Sequence, residues 1–103
     1  MQTSEEKIGR AVMQIASQQP NKIATFNRCR AEIPNVVKLT AAERAISGPR
    51  APEPMWHQIV RNIKSHHGTD TNFISRGLLD HVSRRGYRIT TKGEAFLTKN
   101  GLI

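Results

Sequence analysis

The sequence predicts a mainly helical domain carrying one small antiparallel β-hairpin. Three observations lead there. Apolar residues recur at the helical i, i+3, i+4 spacing in separate stretches, Thr…Glu pairs three residues apart mark helix starts, and a turn ending in glycine joins two short strand-like segments near the C-terminus. The 103 residues fit one domain, 1–103, which should bury roughly 65% of the surface its unfolded chain exposes. An apolar content of 37% separates the chain from disordered sequences, which lack the residues to collapse.

The first helix is expected over Glu5 to Gln18. Thr3 and Glu6 form a capping box, and Glu5 and Glu6 suit the positive end of the helix dipole. Ile8, Val12, Ile15 and Ala16 supply the apolar stripe, and Pro20 ends it. Two readings fit Asn21 to Glu32. Either Lys22 to Thr25 is a short strand with Thr25 capping the helix that follows, or Asn21 caps one helix running through to Glu32. Phe26, Cys29 and Ile33 share a helical face in both, and Pro34 is expected to interrupt. Thr40 and Glu43 form a second capping box for a short helix, Ala41 to Ile46. Ser47 to Pro54, with three prolines and a glycine in eight residues, reads as a loop, and Pro54 is placed to start the next helix.

That helix, Met55 to His67, is the most legible segment. Trp56, Ile59, Val60 and Ile63 make one apolar stripe, while His57, Gln58, Arg61, Asn62, Lys64 and Ser65 make a basic, amide-rich face, and Gly68 ends it. The hairpin follows, with strands Leu79 to Val82 and Tyr87 to Thr90 joined through Ser83-Arg84-Arg85-Gly86, where Gly86 is available for positive φ. A third capping box, Thr91 and Glu94, opens a last helix, Lys92 to Thr98.

Charge narrows the partner. Sixteen Lys and Arg against eight Asp and Glu give a net charge of +8, the balance of a domain that meets nucleic acid. No run of eighteen apolar residues is present for a membrane span, and the polar, acidic N-terminus is not that of a secretory signal. The lone Cys29 suits a reducing cytoplasm. Helices, then a basic helix, then a hairpin tipped with arginine is the order of a winged helix-turn-helix, with the groove helix at about 55–67 and the wing at about 79–90. Gln58, Arg61 and Asn62 have the side chains that read base edges in the major groove, and Arg84, Arg85 and Arg88 offer charge to phosphates. Arg50, His57, Lys64 and Ser65 complete the DNA-facing set. Trp56 falls on the core stripe, but its position in the first turn puts its edge near the groove, so it is counted with them. Double-stranded DNA is the expected partner, and a palindromic target would favour a homodimer.

The four histidines do not read as a metal site. His66 and His67 are neighbours, about 100° apart on a helix, and neither a cysteine pair nor an HExxH pattern accompanies them or His57 and His81. The acids after Glu53 are Asp70, Asp80 and Glu94, and they lack the Asp…Glu-x-Lys arrangement of nuclease metal binding. No cofactor and no catalysis are expected.

The run Arg76-Gly77-Leu78-Leu79, then Ser83-Arg84-Arg85-Gly86-Tyr87-Arg88-Ile89-Thr90, then Lys92-Gly93-Glu94 resembles the end of the winged-helix domain found in Mrr-type restriction proteins. Winged modules of Dpn-type methyl-directed endonucleases have a similar hairpin. The resemblance covers mainly residues 55–97, and the chain departs from it in the polar stretch Ser65 to Asn72 and in lacking a nuclease domain. It implies a reader of DNA state, specifically of adenine methylated on its exocyclic amine. The cluster Arg50, Pro52, Pro54, Met55 and Trp56 independently places rigid apolar surface for the methyl group at the start of the groove helix. The competing expectation is a protein-interaction or specificity module of a restriction or defence system with no DNA readout of its own.

Overall fold

A computed structural model describes residues 4–47, 53–65 and 72–102. Five helices and two antiparallel sheets make up these segments, in the order α1 (Ser4–Ser17), β1 (Ile23–Thr25), α2 (Phe26–Val36), α3 (Ala41–Arg44), β2 (Ile46–Ser47), β3 (Glu53–Pro54), α4 (Met55–Ser65), β4 (Leu79–Val82), β5 (Gly86–Ile89) and α5 (Thr91–Lys99). The mainly helical class read from the sequence is the one observed. Two expected features fall outside the described residues: the Thr3 cap, and the end of the groove helix at His66, His67 and Gly68.

α1 is the centre of the molecule. Its buried set is broader than the expected stripe, adding Gly9, Ala11 and Met13 to Ile8, Val12, Ile15 and Ala16, because α2, α4, α5 and β1 and β5 of the sheet all pack around it. Of the two readings of Asn21 to Glu32, the strand followed by a capped helix is correct, with Thr25 Oγ1 accepting from Arg28 N at 3.1 Å. Pro34 does not interrupt. It lies inside the last turn of α2, where its missing N–H removes one hydrogen bond on the exposed side of the helix and the ring is tolerated. Cys29 is fully buried, and burial pushes its thiol up to about 12, so it is an inert core residue.

Both halves of the Thr40–Glu43 capping box form, at 2.7 and 3.1 Å. Glu43, only 4% exposed, also takes a 2.7 Å ion pair from Lys7, which clamps α1 to α3. The short helix stops at Arg44 rather than Ile46, because Ile46 and Ser47 leave it to pair with Pro54 and Glu53. The expected loop is therefore held at both ends as a two-stranded ribbon. Pro54 costs nothing there, since it sits at the edge of the ribbon and its missing donor faces no ladder partner.

The expected hairpin forms, and a third strand joins it. β1 adds antiparallel to β5, giving the order β1-β5-β4 with Thr25 opposite Gly86 and Val82 opposite Gly86 on the other side. Positive φ falls on Gly86 (159°), as expected, and also on Arg84 (64°). Gly86 is glycine for a second reason as well: a Cβ there would collide with the Ala24 carbonyl and Thr25 Cα of β1. The last helix is capped one residue earlier than expected. Thr90, not Thr91, accepts from Gly93 N at 2.9 Å, and its hydroxyl donates to Gly77 O at 2.6 Å, closing the base of the hairpin. Among the described residues no helix is long and apolar enough to cross a membrane.

Candidate nucleic-acid interface

The expected face begins on α4. Trp56 (5% exposed), Val60 (2%) and Ile63 (1%) turn inward, and α4 lies chiefly against α1. Trp56 is thus a core residue, its ring 4.2 Å from that of His57 in an edge-to-face contact, and it leaves the DNA-facing set. Met55 and Arg61 are exposed, and His57, Gln58, Asn62 and Lys64 are half-buried. Gln58 and Asn62 stand one turn apart, each about 200° around the helix from Val60, so they occupy its outer side. Arg50 and Pro52, and the side chain of Ser65, lie outside the described residues.

A single buried side chain holds this helix to the hairpin. The Tyr87 hydroxyl donates to Val60 O at 2.6 Å and accepts from Lys64 N at 3.1 Å. These are the two groups that a regular helix bonds to each other, so the hydroxyl inserts into the i→i−4 ladder of α4. Burial pushes the Tyr87 pKa well up, and the hydroxyl keeps its proton throughout the neutral range. Around it, Phe26 stacks edge-on at 5.5 Å, Lys64 Nζ lies 5.5 Å over the Phe26 ring, and Phe26 N donates to Arg85 O at 2.9 Å. The start of α2, the last turns of α4 and the β4–β5 turn thereby meet at one place.

Tyr87→Phe keeps the ring and deletes only this link. It should lower stability by about 1 kcal/mol and speed amide exchange at Lys64. A variant with unaltered exchange at that amide would show that the hydroxyl does not tie α4 to the hairpin.

Charge is distributed unevenly over this surface. Arg61 makes a two-pronged pair with Glu53, at 2.8 and 2.5 Å, so its fork is already occupied. Arg88 pairs with Asp80 at 3.2 Å across the sheet, next to but not on the side where Tyr87 is buried, and is not brought to α4. Arg28 pairs with Glu32 at 2.8 Å. By contrast Arg30, Lys64, Arg84 and Arg85 have no carboxylate partner among the described residues. Arg30 donates a hydrogen bond within its own helix, to Asn27 Oδ1. Its field reaches α4, since His57 is lowered first by burial and then by Arg30 and Arg61, against an opposing pull from Glu53. Burial and then Lys64 likewise lower His81 on β4. Both imidazoles therefore favour the neutral form at pH 7.

Arg30 was missed by the reading of the sequence, although Arg28 and Arg30 flank the buried Cys29 and so had to face outward. No group of three His, Cys, Asp or Glu side chains that could hold a metal ion occurs among the described residues. No family model, curated protein or solved structure matches the chain.

Proposed function

We propose that this chain is a winged-helix protein that binds double-stranded DNA, with α4 in the major groove and the β4–β5 turn against the adjacent backbone. The observation that carries the reading is the gathering of four cations with no carboxylate partner among the described residues, Arg30, Lys64, Arg84 and Arg85, from three elements onto one surface through the Phe26–Tyr87–Arg85 linkage. Two further features support it: the strand order β1-β5-β4, and a helix of mixed polar face immediately preceding β4. Free cations on a surface release counterions from DNA and supply affinity without sequence preference. Base reading then falls to Gln58 and Asn62, with Arg61 available once a guanine competes it away from Glu53.

Binding of a labelled duplex, followed by anisotropy, should be micromolar or tighter at about 50 mM salt, with log K falling at about 0.9 per neutralised phosphate against log salt. Arg84→Ala with Arg85→Ala should weaken all sequences alike and flatten that slope by roughly 1–2 units. An unchanged slope would remove the turn from the interface. The finer reading, a preference for N6-methyladenine, is supported by Met55, which is 41% exposed beside Pro54 at the start of α4. Burying one methyl group contributes about 0.8 kcal/mol, so the preference should be about 4-fold for one strand and about 15-fold for both. Equal affinity for methylated and unmethylated duplexes would reduce the proposal to plain DNA binding. The protein-interaction reading rests on Ile46, 63% exposed on the β2–β3 ribbon, and is the one left if no duplex binds at low salt.

A further inference from the structure

A second cationic site lies at the other end of the hairpin, among residues the DNA reading does not use. A shallow hollow of about 340 Å³ separates the segment entering β4 from one face of α5, and Arg76, Leu78, Lys92, Ala95, Phe96 and Lys99 line it. The four from α5 stand at i, i+3, i+4 and i+7, so they share one face of the helix. Arg76, Lys92 and Lys99 have no carboxylate partner among the described residues.

Arg76 is braced. Its guanidinium carbon lies 5.2 Å from the Phe73 ring centre and 5.1 Å from that of Phe96. This contact restricts the side chain in advance, and among the described residues its N–H groups meet no charged acceptor. Lys92 converges on the same spot, its Cδ and Nζ at 3.7 and 4.0 Å from where a Cβ on Gly77 would sit. Cations from the chain entering β4 and the chain leaving β5 thus face one hollow whose other walls, Leu78, Ala95 and Phe96, are apolar.

We propose that this hollow binds a nucleoside 5′-monophosphate, the phosphate between Arg76, Lys92 and Lys99 and the base against Leu78, Ala95 and Phe96. A planar guanidinium fork and two ammonium groups match a phosphate dianion. The apolar walls favour a phosphate carrying a flat organic body over the bare ion. The volume is at the lower end for small-molecule sites, which fits one nucleotide rather than two. A bound phosphate would bridge both ends of the hairpin that displays Arg84 and Arg85. The proposal stands independently of DNA binding by α4.

The test is a titration of the full chain with adenosine 5′-monophosphate, followed by amide NMR shifts. The shifts should centre on residues 76–78 and 92–99, and adenosine and inorganic phosphate should each bind at least about tenfold more weakly. Lys92→Glu with Lys99→Glu, both at exposed positions, should weaken the nucleotide by at least about tenfold, as should Arg76→Gln if the double variant fails to fold. A free nucleotide and a phosphorylated strand end offer the same chemistry. Displacement by a 5′-phosphorylated tetranucleotide but not by its unphosphorylated form assigns the strand end, and displacement by neither assigns the free nucleotide. Equal displacement by both would overturn the site as mere attraction to polyanions. So would shifts confined to Lys64, Arg84 and Arg85, unchanged binding in the folded variants, or equal binding of adenosine and its monophosphate.

Discussion

Gly86→Ala should lower the stability of this protein by about 3 kcal/mol, chiefly through a collision, to which a positive φ of 159° that side-chain-bearing residues rarely adopt adds strain. The atoms an alanine Cβ would meet at Gly86 are the Ala24 carbonyl and the Thr25 Cα, both main chain of the neighbouring strand. A flexible side chain can move aside at little cost, but a paired strand cannot. β1 must shift away from β5, and that loosens the pairs Ile23–Arg88, Ala24–Tyr87 and Thr25–Gly86 together with the Phe26 N to Arg85 O bond. Overpacking a closed site costs about 1–3 kcal/mol and more where backbone must move, and a chain of this length loses about 4–8 °C of Tm per kcal/mol. A fall of about 12–24 °C in thermal unfolding is expected. A drop of under about 3 °C would mean that the third strand is not seated as described.

The second large effect is acid lability, and it comes from Glu43. Burial alone would raise this carboxyl, but Lys7, Ser4 and the Thr40 N–H outweigh it and bring the pKa from 4.5 down to about 2. The folded value is depressed, so the stabilisation is fully present above about pH 4.5 and is lost as pH falls through about 2. A difference of that size corresponds to about 3 kcal/mol. Stability measured by denaturant midpoint should decline over that interval, and Glu43→Gln should be less stable at pH 7 with a flatter decline below pH 4.5. If the variant and the parent fall in parallel, the acid sensitivity belongs to other carboxylates.

What the sequence made legible was local. The stripe of α4 and the Thr40 box depend on residues within one or two turns of each other, and periodicity and spacing carry that information directly. The β1–β5 pairing could not be read, because a three-residue strand has no periodicity and its partner lies more than sixty positions away. The last helix was misplaced by one residue because Thr90 and Thr91 are equally good caps. The choice is made by Gly77 O, which the Thr90 hydroxyl reaches across the base of the hairpin. The candidate site was partly hidden for the same reason. Glu53 and Asp80 each sit eight residues from the arginine they neutralise, one joined to it through a helix and the other through a strand register. Arg30 joins the surface only because α2 folds back beside α4. Tyr87 looked like an ordinary strand aromatic, and only the folded chain reveals that its hydroxyl is spliced into a helix.

Arg84 carries its charge at the one position of the turn where the main chain is left-handed, at φ 64°. That conformation costs a side-chain-bearing residue about 1–2 kcal/mol that glycine would not lose. Stability and charge therefore pull in opposite directions at this residue. A breeding scheme that rewarded heat resistance alone would replace the arginine with glycine or asparagine early, and the domain it produced would be sturdier and less cationic at its tip.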